Sequence, residues 1–429
     1  MRHLTHWLEY IRTLHHSIID YSLERVHEVA ARLELLHPNM PIIMVTGTNG
    51  KGSTVSAMEA ILLAADYHVG SFTSPYLEYF NEQIRINATP IDDTTLIHAF
   101  EMIDNARGNI SLSEFEFTTL AALLIFKNTQ PDLILFEVGL GGGNDATNII
   151  DPDVTVITSL ALDHEEYLGA TLELIAANEA QLLRPNKPGI IGVTTPPTTL
   201  TEHAKAIDAP LLTLAKDWGF EETQKNWRFW NKNCHYNQLP RPNILCKNAA
   251  LAIQALLSCD LQFTEVQLQR GLQNINIKGR LQLIPGKPSM LIDVAHNLEA
   301  IHQLSAFLKA HKPAPGKVIA VFSMLKDKKI TEVIKIMAPD INTWIIAPID
   351  HPRAAPLNQL QDAFTAANIS NAQIITPASL EAACSKAHTL AGPEDLILIF
   401  GSFFVARAGL TTTIYQQKQP IQINHLEDY

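Results

Sequence analysis

Cysteine is scarce in this chain: four residues in 429, at Cys234, Cys246, Cys259 and Cys384, with no C-x-x-C pair among them. That spacing excludes the paired-thiol redox and zinc motifs, and leaves buried free thiols in a reducing compartment as the economical reading. No run of lysine or arginine occurs either, and 32 basic against 44 acidic residues give a net charge of −12. A nucleic-acid surface needs a basic footprint, so no nucleic acid is expected as a partner. No segment approaches the length of a membrane-spanning helix, so no membrane partner is expected. Met1–Tyr10 carries Arg2, His3, His6 and Glu9, with no unbroken apolar stretch and no small-residue cleavage site. It does not read as a secretory signal, and the expected location is cytoplasmic. Short repeats, low-complexity segments and histidine clusters are also absent.

What is present is a globular composition, 46% hydrophobic and 18% charged, in a chain longer than one hydrophobic core usually supports. Between residues 42 and 200 short β-branched runs alternate with helical patterns. Ile42–Val45, Val69–Phe72, Leu133–Val138 and Val154–Thr158 read as buried strands of a mostly parallel sheet. From about 201 to 240 the pattern weakens around Trp218, Trp227, Trp230 and Tyr236, which fits a small antiparallel excursion or a long loop. Pro285-Gly286-Lys287-Pro288 is the best linker candidate. Beyond it, strands at 290–294, 317–322, 343–347 and 395–400 alternate with helices. The expected fold is therefore α/β: a P-loop-type ATPase domain over 1–285, then a smaller doubly wound, Rossmann-like domain over 289–429.

The most specific local signal is Thr46-Gly47-Thr48-Asn49-Gly50-Lys51-Gly52-Ser53-Thr54, between a buried strand and a helical pattern. Glycines let backbone N–H groups turn toward phosphate oxygens, and the helix amino terminus adds positive potential. Gly47 through Thr54 are the expected ATP-binding residues, with Lys51 reaching the terminal phosphates and Ser53 or Thr54 on a phosphate oxygen or magnesium. Gly52 separates the lysine from the hydroxyl residue, a departure from the common phosphate loop. A glycine-rich turn with an exposed lysine is the plain alternative.

This loop resembles that of the Mur-type amide ligases, and within them the folylpolyglutamate synthases. Phe72-Thr73-Ser74-Pro75-Tyr76-Leu77, Phe115-Glu116-Phe117, Glu137-Val138-Gly139-Leu140-Gly141-Gly142, Asp145-Ala146-Thr147-Asn148, Leu162-Asp163-His164 and Asp293-Val294-Ala295-His296-Asn297 follow in that family's order, over almost the whole chain. The segment from Leu14-His15 to Leu23-Glu24-Arg25-Val26 is similar to the bacterial bifunctional dihydrofolate synthase/folylpolyglutamate synthases.

The resemblance implies an ADP-forming ligase, with ATP as co-substrate, that makes an acyl phosphate and joins L-glutamate to dihydropteroate and to folates. It implies two magnesium ions, with Ser74 and Glu137 on one and His164 on the second. Glu137 also ends a buried strand, where ligands bind in open α/β sheets. It further implies that Asn248 holds the adenine, Arg280 meets an ATP phosphate, and Asp293 and His296 meet the ribose and the cleft. Asp20, Leu23 and Phe115 would surround the pterin, Asp145 and Asp163 would line the substrate site, and Ser402 would take the incoming glutamate. A monomer is implied. Solvent-facing, capping or core-packing roles are the ordinary alternatives for these side chains.

Three departures stand out. A basic residue is usual where Gly143-Asn144 stands, Pro-Gly-Arg is usual at Lys278-Gly279-Arg280, and a commonly carbamylated lysine aligns with Glu179. Leu172, Ile175, Glu179 and Leu182 fall at helical intervals, which puts Glu179 on an apolar stripe. A carboxylate there needs a cation or donors. It would either supply directly the carboxylate that carbamylation otherwise creates, or pair with a local base. The departures leave open a diverged ligase for another acid and amino acid, or a non-catalytic ATP-binding relative.

Overall fold

A computed structural model describes residues 3–15, 22–223, 225–311, 315–370 and 373–418. The chain divides into two compact units, Met1–Asn276 and Ile277–Tyr429. Asp20 lies outside the described residues.

The first unit is built on eight strands: β1 (Ile42–Thr46), β2 (Val69–Phe72), β3 (Ile84–Ile86), β4 (Thr89–Pro90), β5 (Leu133–Glu137), β6 (Val154–Ile157), β7 (Gly189–Ile191) and β8 (Leu211–Thr213). Their order is β4-β3-β2-β5-β1-β6-β7-β8. From β2 through β8 the pairings are parallel, and β3 and β4 add an antiparallel edge. Every residue of β1, β2, β5 and β6 is buried, which is why β1 and β5 in particular read as near-continuous apolar runs rather than alternating ones. The register sets Val45 beside Glu137 and Thr46 beside Ile157. The carboxyl ends of β5, β1 and β6 therefore come side by side, and the expected site residues leave from them.

The tryptophan-rich stretch is an antiparallel sheet, not a long loop. Trp218–Glu222, Asn226–Asn231 and His235–Pro240 pair in sequence order, with Trp218 and Trp227 fully buried. The helical stripe is corrected at one end. Ile175, Glu179 and Leu182 are buried, but Leu172 is exposed because it opens its helix, Leu172–Glu179.

The domain boundary also differs from the expected 1–285 and 289–429. Gln282–Ile284 pairs antiparallel with Ser289–Ile292, so Pro285–Pro288 is the turn of a hairpin inside the second unit. Two prolines and a glycine break a strand in a tight turn as readily as in a linker. In that unit Gln282–Ile284, Ser289–Ile292, Leu396–Phe400, Val318–Phe322, Thr343–Ile346 and Ile374–Ile375 lie in this spatial order. All but the first pair are parallel. Phe322, Trp344, Phe364 and Phe400 pack edge-on and tilted in its core. Among the described residues no helix is long and apolar enough to cross a membrane. The four cysteines are unpaired, two of them buried.

Candidate active site

The phosphate loop follows β1 directly. Gly47 and Gly50 adopt φ of 112° and 90°, backbone that favours glycine. Space is closed at both positions: a Cβ on Gly47 would stand 2.6 Å from Thr158 Oγ1, and one on Gly50 2.6 Å from Asn248 Oδ1. Asn248 is thus packed on the loop. The segment leaving β6 braces it further. Thr48 N donates to Ser159 O at 2.9 Å, Asn49 N to Ser159 Oγ at 3.0 Å, and Ala161 N to Thr48 Oγ1 at 2.9 Å. Lys51 opens the helix Lys51–Ala64, and its Nζ donates back to Gly47 O at 2.8 Å. Thr54 Oγ1 donates to Gly50 O at 2.9 Å, and Ser53 is buried beside it. A rigid loop at a helix amino terminus, with a lysine folded over it, is a ready anion site.

Beside the loop is an acidic corner. Glu137, at the end of β5, is 4% exposed and accepts from Ser74 N at 3.2 Å. A Cβ on Gly52 would stand 3.2 Å from Glu137 Oε2. The missing side chain of Gly52, the residue that interrupts the common loop pattern, therefore makes room for this carboxylate. Thr73, which precedes Ser74, is fixed from behind. Arg85 donates to Glu59 of the loop helix at 3.1 Å and to Thr73 Oγ1 at 2.8 Å. A carboxylate and a hydroxyl beside a phosphate loop are hard donors that fit magnesium. Among the described residues no three His, Cys, Asp or Glu side chains group closely enough to hold a metal. Asp163 and His164 follow β6. His164 N donates to Asp163 Oδ1 at 2.9 Å, and His164 holds a left-handed φ of 52°, a conformation that concentrates at functional positions.

Glu179 is buried to 2% exposure and accepts from Thr46 Oγ1. Burial pushes its carboxyl above the ordinary range, opposed by the Thr46 hydroxyl and the Lys51 charge and aided by Asp145. The hydrogen-bonding partner of Glu179 is Thr46, and the Lys51 charge acts on it only at longer range.

Phe115, Leu23 and Tyr76 are half-buried at the edge of one hydrophobic cluster, and Phe115 lies 5.9 Å from Phe72. A Cβ on Gly139 would stand 2.7 Å from Phe115 Cζ and 3.0 Å from Asp145 Oδ2. Asp145 accepts from Leu140 N at 2.9 Å and from Thr147 N and Oγ1 at 3.0 and 2.7 Å. Burial raises its pKa against these donors. It shapes the loop that backs Phe115.

On the second unit, Asp293 accepts from Leu281 N and Ala295 N, both at 2.7 Å, and burial raises its pKa. These bonds fix the backbone that carries Arg280, whose guanidinium lies 4.9 Å from the Phe403 ring. His296 stands 6.1 Å from the same ring, with Nδ1 2.8 Å from Val294 O. Ser402 Oγ accepts from Val405 N at 3.3 Å. Arg280, His296 and Ser402 thus gather around Phe403. Thr46, Ser159 and the Arg85–Glu59 pair escaped the sequence reading. Only Thr46, adjoining the loop, carried a signal that could have exposed it.

A β1–loop–helix phosphate site on a mostly parallel sheet, followed by a doubly wound unit, defines a Mur-type ligase. The Mur ligase middle domain matches residues 45–239, and the Mur ligase, glutamate ligase domain matches 279–403. Dihydrofolate synthase/folylpolyglutamate synthase of Escherichia coli (strain K12) is 38% identical over 400 residues, 93% of each chain. The structure of E. coli FolC in complex with DHPP and ADP is similar with a TM-score of 0.92 at 37% identity, covering 97% of this chain and 99% of that one. A bifunctional folylpolyglutamate synthase/dihydrofolate synthase with Mn, AMPPNP and L-glutamate bound gives a TM-score of 0.89 at 36% identity, covering 97% and 98%. The chain belongs to the dihydrofolate synthase/folylpolyglutamate synthase family of Mur-type ligases, enzymes that form carbon–nitrogen bonds.

Proposed function

We propose that this protein adds L-glutamate to dihydropteroate and to folates. The γ-phosphoryl of ATP passes to the substrate carboxylate, and the glutamate amine then displaces phosphate from the acyl phosphate. The observation that carries this reading is the Gly52–Glu137–Ser74 corner. It sets a buried carboxylate against the first turn of the phosphate-loop helix, where hydrolysis or transfer needs a magnesium ligand. Lys51 leaves its contact with Gly47 for the terminal phosphates, and the loop N–H groups hold them in line. Ser74 and Glu137 would hold one magnesium and His164 would contribute to a second. Bound magnesium would neutralise charge on the transferring phosphoryl group. Glu179, behind the loop, fixes Thr46 and balances Lys51. Asn248 faces the adenine, Leu23, Phe115, Asp145 and Asp163 border the pteroyl acid, and Asp20 joins them. On the second unit, Arg280 takes an ATP phosphate, Asp293 and His296 belong to the ribose and cleft, and Ser402 to the incoming glutamate. These last roles rest on family resemblance. The protein works as a cytoplasmic monomer.

The test is ligation by purified protein with ATP, magnesium, glutamate and either dihydropteroate or a folate. One ADP per glutamyl product is expected. Turnover with other acids or amino acids alone overturns the folate reading.

A further inference from the structure

Asn178 has no part in the reaction as assigned above, yet it holds the glycine run that follows Glu137. Its Oδ1 accepts from Gly142 N at 2.8 Å and from Gly143 N at 3.3 Å. The same oxygen would stand 2.5 Å from a Cβ on Gly141, where φ is +68°. Gly142 presses on the backbone of the same helix end, since its Cβ would stand 2.8 Å from the carbonyl oxygens of both Asn178 and Glu179. Three consecutive glycines therefore dock on the last residues of Leu172–Glu179. One amide oxygen satisfies two of the N–H groups of these buried glycines, as buried backbone donors require.

The neighbouring residue on that helix, Glu179, takes Thr46 at the base of the phosphate loop. Adjacent side chains thus grip two different loops, one carrying phosphate and the other backing Phe115 through Gly139.

We propose that Asn178 is a positioning residue, locking the Gly141–Gly143 loop so that the pteroyl acid meets the phosphate site in register. This deepens, and rests on, the folate-ligase reading above. A misplacement of about 1 Å at such a site lowers rates on the order of a hundredfold.

The test compares Asn178→Leu, which fills the volume without an acceptor, with Asn178→Asp, which restores one. Asn178→Leu should lower kcat/KM for dihydropteroate at least tenfold and change the KM for ATP less than twofold, by the same positioning argument. Asn178→Asp should recover most of that loss. Amide hydrogen exchange across 139–144 should speed up in Asn178→Leu and return in Asn178→Asp. Unchanged steady-state kinetics, or equal loss for both co-substrates without rescue, overturns the proposal; so does unchanged exchange. Wild-type protein that ligates neither acid contradicts the folate reading instead, and the exchange comparison still decides the lock.

Discussion

The hydroxyl of Thr46 donates to the carboxylate of Glu179, which is buried on the helix Leu172–Glu179 behind the phosphate loop. Burial raises the pKa of Glu179 above its ordinary value of 4.5. A carboxyl that is harder to ionise folded than unfolded favours folding below its ordinary pKa, and that advantage is lost as pH rises through the folded value. Glu179→Gln removes the loss while keeping an acceptor for Thr46. Its Tm should exceed that of the wild type at pH 8 and match it near pH 4, while ligation falls at least tenfold if the charge balances Lys51, on the order of one interaction with an ionised group. Thermal melts across pH and a rate assay read both effects.

Gly52→Ala should separate stability from activity. Alanine in a helix favours folding over glycine by about 1 kcal/mol, yet its Cβ would stand 3.2 Å from Glu137 Oε2. The variant should melt no lower than the wild type and need more magnesium for half-maximal rate. A magnesium titration of the rate checks it.

Arg85 and Glu59 form a largely buried pair at 3.1 Å, with 14% and 6% of their side chains exposed. Removing one partner of such a pair costs about 3–5 kcal/mol. Arg85→Ala should therefore lower the urea midpoint markedly. Because Arg85 also binds Thr73, it should weaken catalysis even where the protein remains folded.

Gly142 and Gly143 should behave differently. The Gly142 Cβ would meet backbone at 2.8 Å, whereas the nearest atoms to a Gly143 Cβ belong to the end of the exposed Gln181 side chain, at 2.0 Å from Oε1. Gly142→Ala should cost about 1–3 kcal/mol through backbone displacement. Gly143→Arg, which installs the basic residue usual in the family, should cost less than Gly142→Ala, because the flexible end of Gln181 can swing aside whereas backbone cannot. Equal destabilisation of the two variants would contradict this.

Much of the architecture was legible because burial on both faces writes itself into composition. The strands at 42 and 133 read as apolar runs, and the loop after the first carried its chemistry in glycine spacing. Pro285–Pro288 was misleading, because a hairpin turn and a linker use the same residues. The meaning of Gly52 was hidden as well. Its value lies in a neighbour, Glu137, 85 positions away in the sequence. Glu179 could be seen to point inward, but its partner Thr46 could not, since helical periodicity names a face and not what lies against it.

The central claim is transfer of phosphate to a substrate carboxylate. Dihydropteroate labelled with oxygen-18 in its carboxylate, incubated with this protein, ATP, magnesium and glutamate, tests it directly by mass spectrometry of the released phosphate. An acyl phosphate leaves one labelled oxygen in each phosphate formed per glutamyl product. Label-free phosphate accompanying product would contradict the account.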